Sequence, residues 1–196
     1  MRPPDAESGK APTRAGLTLR VARAQSGDRD ALDRLLRDHQ APLYRHIRTI
    51  TKDGEIAFDA LQNALLLIAR RLGSLRDPRW FKAWAYRIAT REGVRLAKRE
   101  TRLRTRQEEA ALAEAIEAPS REDACDAAFL AGCADRVADL PPACQIAVRL
   151  HYFEEMTFAE IAEALEIPVG TVKSRLAYGL ARMRESMAPS GIGCAG

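Results

Sequence analysis

Two groups of residues in this sequence have the types and spacing for contacts with nucleic acid. The first is the segment TVKSR at 171–175, where hydroxyl side chains stand beside lysine and arginine. Such side chains can reach phosphates and base edges. The second is a basic stripe spaced by three or four residues, the interval that shares one helix face. The stripe consists of Arg87, Arg91, Arg95, Lys98 and Arg102.

The surroundings of the basic stripe favour phosphate contact over an ordinary solvated face. Thirteen basic and three acidic residues lie between Arg70 and Arg106, whereas a solvated helix face usually mixes both signs. Trp80, Phe81 and Trp84 add aromatic surface, and one of them could stack on an unpaired base. Phe81 and Trp84 share the helical spacing of core residues, so we expect them in the core.

No catalytic arrangement is found, because the sequence has no nucleophile elbow, no Gly-rich phosphate loop and no HExxH motif. The four cysteines, Cys125, Cys133, Cys144 and Cys194, form no CxxC pair, and the three histidines do not approach them at ligand spacing. We expect Cys133 and Cys144 in the core and Cys194 exposed. The sequence therefore predicts a binding protein that is not an enzyme and has no cofactor and no metal.

The bulk composition fits a globular chain of 196 residues, with 46% hydrophobic residues and a net charge of +4. This positive excess is mild, so its placement matters more than its size. No apolar run approaches the ~18 residues of a membrane span. The N-terminus has no apolar segment of a signal peptide, so we expect a cytoplasmic protein with a disordered leader.

Helical periodicity dominates the chain and strand patterns are nearly absent, which predicts an all-α fold. We expect four helices in a first module, over about 17–25, from a cap at Asp28, over about 55–72, and from near Arg79 past Arg99. Pro42 is expected to kink or split the second of these helices. An acidic linker at 107–124, possibly helical in part, then leads to a second module.

The second module has the pattern of a helix-turn-helix. A helix over about 125–138 ends at the LPP of 140–142, and Pro142 suits the first turn of the next helix. Thr157 and Glu160 form a predicted capping box, and EIPVG turns the chain into a last helix. Its predicted buried residues are Val172, Leu176, Leu180, Met183 and Met187. The alternative is an αα-hairpin that only packs.

These two modules resemble parts of one family. LPPACQIAVRLHYFEEMTFAEIAEALEIPVGTVKSRLAYGLARMR resembles region 4 of bacterial RNA polymerase sigma factors of the extracytoplasmic-function (ECF) group. AQSGDRDALDRLLRDHQAPLYRHIRTITKDG, DALQNALLLIARRL and FKAWAYRIATREGVRLAKR resemble region 2. The expected division is a leader at 1–16, region 2 at 17–106, the linker at 107–124, region 4 at 125–188 and a disordered tail at 189–196.

The resemblance implies two DNA contacts. The start of the last helix would read the −35 promoter element through Thr171, Lys173, Ser174, Arg175, Ala177 and Tyr178. The loop and helix start at 73–87 would meet the −10 element and help to capture a flipped base, and the stripe beyond would contact the duplex backbone. The residues implied for this second contact are Arg76, Arg79, Trp80, Lys82, Arg87, Arg91, Arg95 and Lys98.

The resemblance also implies protein partners. Asp59, Gln62 and Asn63 lie in the segment that docks on the clamp helices of the β′ subunit of core RNA polymerase, and an apolar groove of region 4 would hold the β flap tip. The protein would act as a monomer in the holoenzyme. An anti-sigma factor wedged between the two modules is a further expected partner.

The sequence departs from the family at the docking segment, where two acids of a DAED-like run are missing from Ile56-Ala57-Phe58-Asp59 and Asn63 replaces a third. One hypothesis is that phosphorylation of Thr49 or Thr51 supplies the missing charge. Arg91 and Arg95 stand where the family often has Asn and Asp, and the small Ala177 suggests fewer base contacts.

Three functions remain open at this point. The first is an alternative sigma factor that directs promoter recognition and transcription initiation. The second is a stand-alone helix-turn-helix regulator, which would usually dimerise on a palindrome; the sequence has no dimerisation helix or ligand domain for that role. The third is a degenerate sigma-like protein that binds polymerase without reading promoters.

Overall fold

A computed structural model of the chain describes residues 13–110 and 137–187, with side chains over 13–102 and 137–185. Every regular element in these ranges is helical, which confirms the all-α prediction. The leader up to residue 12, most of the linker, Cys125, Cys133, Cys194, Met187's side chain and the tail lie outside the described residues, as does most of the helix predicted over 125–138. No helix in the two ranges is both long and apolar enough to cross a bilayer.

The first module contains four helices. They are α1 (Arg14–Gln25), α2 (Arg29–Thr51), α3 (Gly54–Arg71) and α4 (Phe81–Ala110), and 3-10 turns at Leu72–Ser74 and Pro78–Trp80 join α3 to α4. The second module contains α5 (Pro142–Tyr152), α6 (Phe158–Leu165) and α7 (Val169–Met187).

Short polar side chains define the helix starts of the first module. The Asp28 carboxylate accepts from the Ala31 amide at 2.9 Å, which confirms the predicted cap of α2. Asp53 caps α3 in the same way through the amides of Glu55 and Ile56. Pro42 lies inside α2, which continues unbroken to Thr51, so the helix is not split there. The buried residues on both sides of Pro42 hold the two halves against the core.

The ends of α4 differ slightly from the prediction. Arg79 belongs to a 3-10 turn that Asp77 caps through the Arg79 amide, and the α-helix begins after it at Phe81. At the other end α4 continues to Ala110, so residues 107–110 of the predicted linker are helical.

Small residues allow close packing in the second module. Gly179 of α7 lies against α5, and an added Cβ would come within 3.0 Å of Val148 Cγ2 in α5 and 3.4 Å of Leu140 Cδ1 just before it. Cys144 of α5 is buried, as predicted. The absent side chain at Gly179 therefore brings α7 onto α5 and sets the position of the helix that carries TVKSR.

The two modules form one hydrophobic core in the described chain. Buried residues of the first module, such as Leu35, Ile47 and Tyr86, belong to the same cluster as Val148 and Ile161 of the second. Helix α4 packs against α6, and α2 packs against α5. A contiguous cluster of this kind is typical of a single packed unit, so the two modules are in contact.

Candidate DNA and polymerase contact surfaces

The predicted capping box anchors the first helix of the helix-turn-helix. The Thr157 Oγ1 atom accepts from the Glu160 amide at 3.3 Å, and Glu160 Oε2 accepts from the Thr157 amide at 2.8 Å. Both predicted bonds are present, so two amides at the start of α6 are satisfied. The Glu160 side chain is buried and also pairs with Arg14 of α1.

The turn into α7 follows the predicted pattern. Glu166 ends α6 in the left-handed conformation at φ 55°, and its amide donates to the Ala162 carbonyl. Pro168 then precedes α7, which begins at Val169. Val172 and Leu176 are buried, and Leu180 and Met183 are partly buried, as expected for the inner face of α7.

The opposite face of α7 presents the predicted −35 residues to solvent. Lys173, Ser174, Ala177 and Tyr178 are exposed, whereas Thr171 and Arg175 are half-buried. Tyr178 exposes 52% of its surface, which is enough for a contact with a base or a sugar. Ser174 Oγ donates to the Thr171 carbonyl at 3.0 Å, and Lys173 Nζ lies 6.0 Å from the Phe158 ring centroid. The accessible readers are therefore short or flexible polar side chains on a rigid helix.

The loop before α4 carries the exposed part of the predicted −10 set. Arg76, Arg79 and Trp80 are exposed. Arg79 donates to both oxygens of Asp77, at 3.0 Å from Nε to Oδ1 and 2.8 Å from Nη2 to Oδ2, and this pairing lowers the pKa of Asp77. The ion pair directs the exposed Arg79 guanidinium toward Asp77.

The aromatic residues of α4 divide as predicted. Phe81 is buried, and its ring packs edge-on against His39 at 5.1 Å between centroids. Trp84 is half-buried against the core, whereas Trp80 exposes 40% of its surface. Trp80 is thus the aromatic side chain of this segment that is available to an unpaired base.

The basic stripe meets acids that the linear sequence did not reveal. Arg87 pairs with Glu163 and Arg91 pairs with Glu166, and both acids belong to the helix-turn-helix. Lys82 Nζ donates to the Glu154 carbonyl at 2.6 Å. The acids come from the second module, so the count of charges between residues 70 and 106 does not include them.

Farther along α4 the stripe returns to solvent. Arg95 pairs with Glu92 on the same helix at 2.5 Å, and Lys98 and Arg102 are exposed. Three of the predicted −10 and backbone residues thus contact the second module, namely Lys82, Arg87 and Arg91, and Arg91 is exposed as well.

A buried polar cluster between the modules was not predicted. Arg149 of α5 has a lowered pKa because burial removes water from the guanidinium and Arg45 of α2 adds a like charge. Burial also raises the pKa of the Tyr86 hydroxyl, with the negative charge of Glu154 as a second cause. Only tertiary contact brings these residues together, so no sequence spacing could have indicated the cluster.

The predicted polymerase-docking residues lie on the outer face of α3. Asp59 and Gln62 are exposed and Asn63 is half-buried. Phe58 and Leu66 share this face, with 50% and 55% of their surfaces exposed. Their exposure was not predicted, although the spacing of 58, 62 and 66 at intervals of four is the signal that could have indicated one face.

The two threonines considered for phosphorylation are partly buried in the last turn of α2. Thr49 Oγ1 donates to the Arg45 carbonyl and Thr51 Oγ1 donates to the Asp53 carbonyl, each at 3.0 Å.

Within the described ranges, no three His, Cys, Asp or Glu side chains cluster as metal ligands would.

Both predicted modules match known protein families. Residues 35–103 match Sigma-70 region 2, and residues 134–183 match Sigma-70, region 4. The RNA polymerase sigma-H factor of Pseudomonas aeruginosa is 31% identical over 170 residues, which cover 80% of this chain and 86% of that protein. The ECF RNA polymerase sigma factor SigM of Mycobacterium tuberculosis is 31% identical over 158 residues, with 81% of this chain and 78% of that protein covered.

Solved structures share the fold. A structure described as CnrH in complex with the cytosolic domain of CnrY matches 89% of this chain and 99% of that chain, with 21% identity and a TM-score of 0.57. The sigma factor RpoE of Bartonella quintana, solved with the anti-sigma factor NepR, matches 78% of this chain and 93% of that chain at 19% identity and a TM-score of 0.57. Together, the two matched regions and the relatives show that this chain belongs to the sigma-70 family, in the extracytoplasmic-function group of alternative sigma factors that direct transcription initiation.

Proposed function

We propose that this sigma factor recognises promoters through two separate surfaces, one on each module. The observation that carries the proposal is the exposed outer face of α7, where Lys173, Ser174 and Tyr178 lie in solvent. The inner face of the same helix packs in the core, and the helix before it has a capping box. The N-terminal end of such a helix attracts phosphate, and side chains just beyond it can reach base edges in the major groove. The residues proposed for the −35 element are Thr171, Lys173, Ser174, Arg175, Ala177 and Tyr178.

The second surface is proposed for the −10 element and the adjoining duplex. The exposed Trp80, with Arg76 and Arg79 beside it, has the aromatic and basic character needed to hold an unpaired base and its phosphates. Arg95 and Lys98 continue this surface along α4, and Lys82, Arg87 and Arg91 join it when the second module is displaced.

We further propose that α3 docks on the β′ clamp helices of core RNA polymerase through Asp59, Gln62 and Asn63. The exposed Phe58 and Leu66 border these residues and supply apolar area where the family has acidic contacts. The β flap tip would occupy the apolar groove of the second module, and an anti-sigma factor would bind the free chain. The protein would act in the cytoplasm by binding alone, as one copy in the holoenzyme.

Run-off transcription with purified core polymerase tests this function. Promoter-dependent transcripts are expected, and Lys173→Ala should reduce transcription at every promoter that has a −35 element. Arg182→Ala, an exposed residue at the far end of α7, is the matched control and should leave transcription unchanged. Binding to a naked palindrome without polymerase would instead support a stand-alone regulator, and polymerase binding without initiation would support the degenerate sigma-like protein.

The phosphorylation hypothesis has its own test. Thr49→Asp and Thr51→Asp imitate part of the added charge, and at least one should raise transcription if negative charge beside α3 assists docking. Thr49→Ala and Thr51→Ala serve as controls for loss of the hydroxyl bonds. Unchanged transcription in both aspartate variants would rule the hypothesis out.

A further inference from the structure

The last residue of α1, Gln25, binds the backbone of the loop that leads into α4. Its side-chain nitrogen, Nε2, donates to the Leu72 carbonyl at 2.9 Å and to the Leu75 carbonyl at 2.7 Å. An amide nitrogen carries two protons, so one side chain makes both bonds at once. The donor and its acceptors are 47 and 50 residues apart in the sequence, so the contact is tertiary. We call residues 72–80 the −10 loop.

The two acceptors lie at the start and just after the end of the first 3-10 turn of the −10 loop, Leu72–Ser74. The Leu72 carbonyl also accepts from the Leu75 amide at 3.1 Å, which closes the turn, and both leucine side chains are buried. The Leu75 carbonyl belongs to the same planar peptide unit as the Arg76 amide. Gln25 therefore fixes the direction in which the chain leaves the turn toward Arg76.

The other end of the −10 loop is held by its own bonds and by the core. The Trp80 amide donates to the Asp77 carbonyl at 3.0 Å, and the Asp77 carboxylate accepts from the Arg79 amide at 2.9 Å. Phe81, the next residue, is buried, and α1 packs against both 3-10 turns. Arg76 thus lies between two hydrogen-bonded turns, and Gln25 joins the first of them to α1.

We propose that Gln25 is a positioning residue for promoter recognition, which holds the −10 loop in the conformation that presents Arg76, Arg79 and Trp80 to an unpaired strand. This inference rests on the proposed −10 contact of the loop. Gln25 is half-buried, and it acts through the loop and not by contact with DNA. A loop that is ordered before binding loses less conformational entropy when DNA binds, so preorganisation strengthens the contact.

A merely structural role for Gln25 makes a different prediction. The Leu72 carbonyl lies at the C-terminal end of α3, where carbonyls lack partners within the helix, so the bond also stabilises the fold. A loss of fold stability alone would leave the −10 loop of the folded molecules as ordered as before. A loss of positioning would loosen the loop and weaken the contact made by Trp80. The test therefore needs a local readout at Trp80.

The first experiment measures the order of the loop in the free full-length chain. The sequence contains two tryptophans, so Trp84→Phe leaves Trp80 as the reporter. In this background, Gln25→Met removes both donors from a side chain of similar length, and it should lower the fluorescence anisotropy of Trp80 and raise its quenching by acrylamide. Gln25→Lys keeps a donor and should restore most of the order. Gln40→Met makes the same change at an exposed position of α2 and should behave like the background.

The second experiment tests whether Gln25 acts through Trp80. Holoenzyme with otherwise unaltered chain binds the promoter of the run-off assay, whose −10 bases are kept unpaired by mismatches. Gln25→Met should weaken this binding on the order of tenfold, which is the cost of ordering one or two side chains upon binding. Gln25→Met/Trp80→Ala should bind about as well as Trp80→Ala, because two changes that act through one contact are not additive.

Equal Trp80 signals from Gln25→Met and Gln40→Met overturn the proposal, and so do fully additive losses in the double variant. Circular dichroism checks that each variant is helical, and Gln25→Glu, which keeps the shape of the side chain and loses both donors, replaces Gln25→Met if that variant does not fold. The fluorescence measurement needs neither polymerase nor DNA, so an unchanged signal alongside normal transcription contradicts only the positioning role. Unchanged binding by Trp80→Ala would instead contradict the proposed −10 contact, and the inference with it.

Discussion

His46 is the residue at which burial most clearly changes chemistry. It is a buried residue of α2, and desolvation lowers its pKa from 6.5 to about 4. The nearby positive charge of Arg149 is a second cause of this shift. The Thr90 hydroxyl donates to the Tyr86 carbonyl at 2.8 Å. Its oxygen is thus free to accept from His46 Nε2, which lies at 2.7 Å, so the imidazole is neutral with the proton on Nε2.

This shift makes stability depend on pH. The folded pKa lies below the unfolded value, so the unfolded chain binds the proton first and stability falls as the pH drops from about 6.5 through 4. Proton uptake by His46 in the unfolded chain should lower the unfolding free energy by about 2 kcal/mol between pH 7 and pH 5. Urea unfolding at several pH values measures this. His46→Gln should flatten the dependence relative to the wild type, and an equal slope in both proteins would contradict the assignment.

At the scale of elements, α3 and α7 each have one face packed in the core and one face exposed to solvent. On the outer face of α3, Phe58 and Leu66 are exposed beside the residues that are proposed to dock on polymerase. The outer face of α7 combines small and basic residues with the exposed Tyr178. The two faces therefore suit different partners, an apolar protein surface for α3 and nucleic acid for α7.

Phe58→Ala should weaken binding to core RNA polymerase by roughly 1–2 kcal/mol, because burial of a half-exposed phenyl ring supplies about that much. The binding should also depend weakly on salt, since apolar contacts are not screened. Fluorescence titration of core polymerase at two salt concentrations measures both effects. Leu19→Ala removes an exposed apolar side chain from α1 and should bind like the wild type. A loss of affinity in Leu19→Ala equal to that in Phe58→Ala would argue against an α3 docking face.

The capping box of α6 gives a second prediction at this scale. Thr157→Ala removes the acceptor of the Glu160 amide and should lower the unfolding free energy by about 1 kcal/mol. Thr157→Ser keeps the hydroxyl and should retain most of that stability. Thermal and urea unfolding compare the three proteins, and an alanine variant as stable as the serine variant would show that the cap contributes nothing.

At the scale of the whole molecule, the two proposed DNA surfaces belong to modules that pack together in the described chain. Neither proposed surface alone has many side chains that could reach base edges. In the proposed function, core polymerase raises the effective concentration of both surfaces at the promoter.

The free chain should accordingly bind a promoter duplex at least about a hundredfold more weakly than the same chain bound to core polymerase. Fluorescence anisotropy with one labelled duplex measures both affinities at the same salt concentration. A duplex with a scrambled −35 element is the control and should lose most of the advantage gained from polymerase. Equal affinities for the free and the bound chain would mean that one module binds DNA independently.

Much of the molecule could be predicted from local rules. The helices, the cap at Asp28, the capping box at Thr157 and the start of α7 after Pro168 depend on residues within one or two turns of each other, so their signals are contained in short stretches. The family motifs likewise occupy contiguous segments. The roles of individual DNA-contact and docking residues stay predictions, because no described contact includes DNA or polymerase.

The amino-acid sequence by itself determined the all-α fold, the helix-turn-helix and the basic character of α4, because periodicity, capping and charge act over short separations. Only the tertiary structure decided the partners of that charge. Arg87 and Arg91 meet Glu163 and Glu166 from 75 or 76 residues away, and Arg149 approaches His46 across the same contact. Pairing across such separations depends on how whole helices pack, which no local spacing encodes, and this packing places acids of the second module against part of the basic stripe.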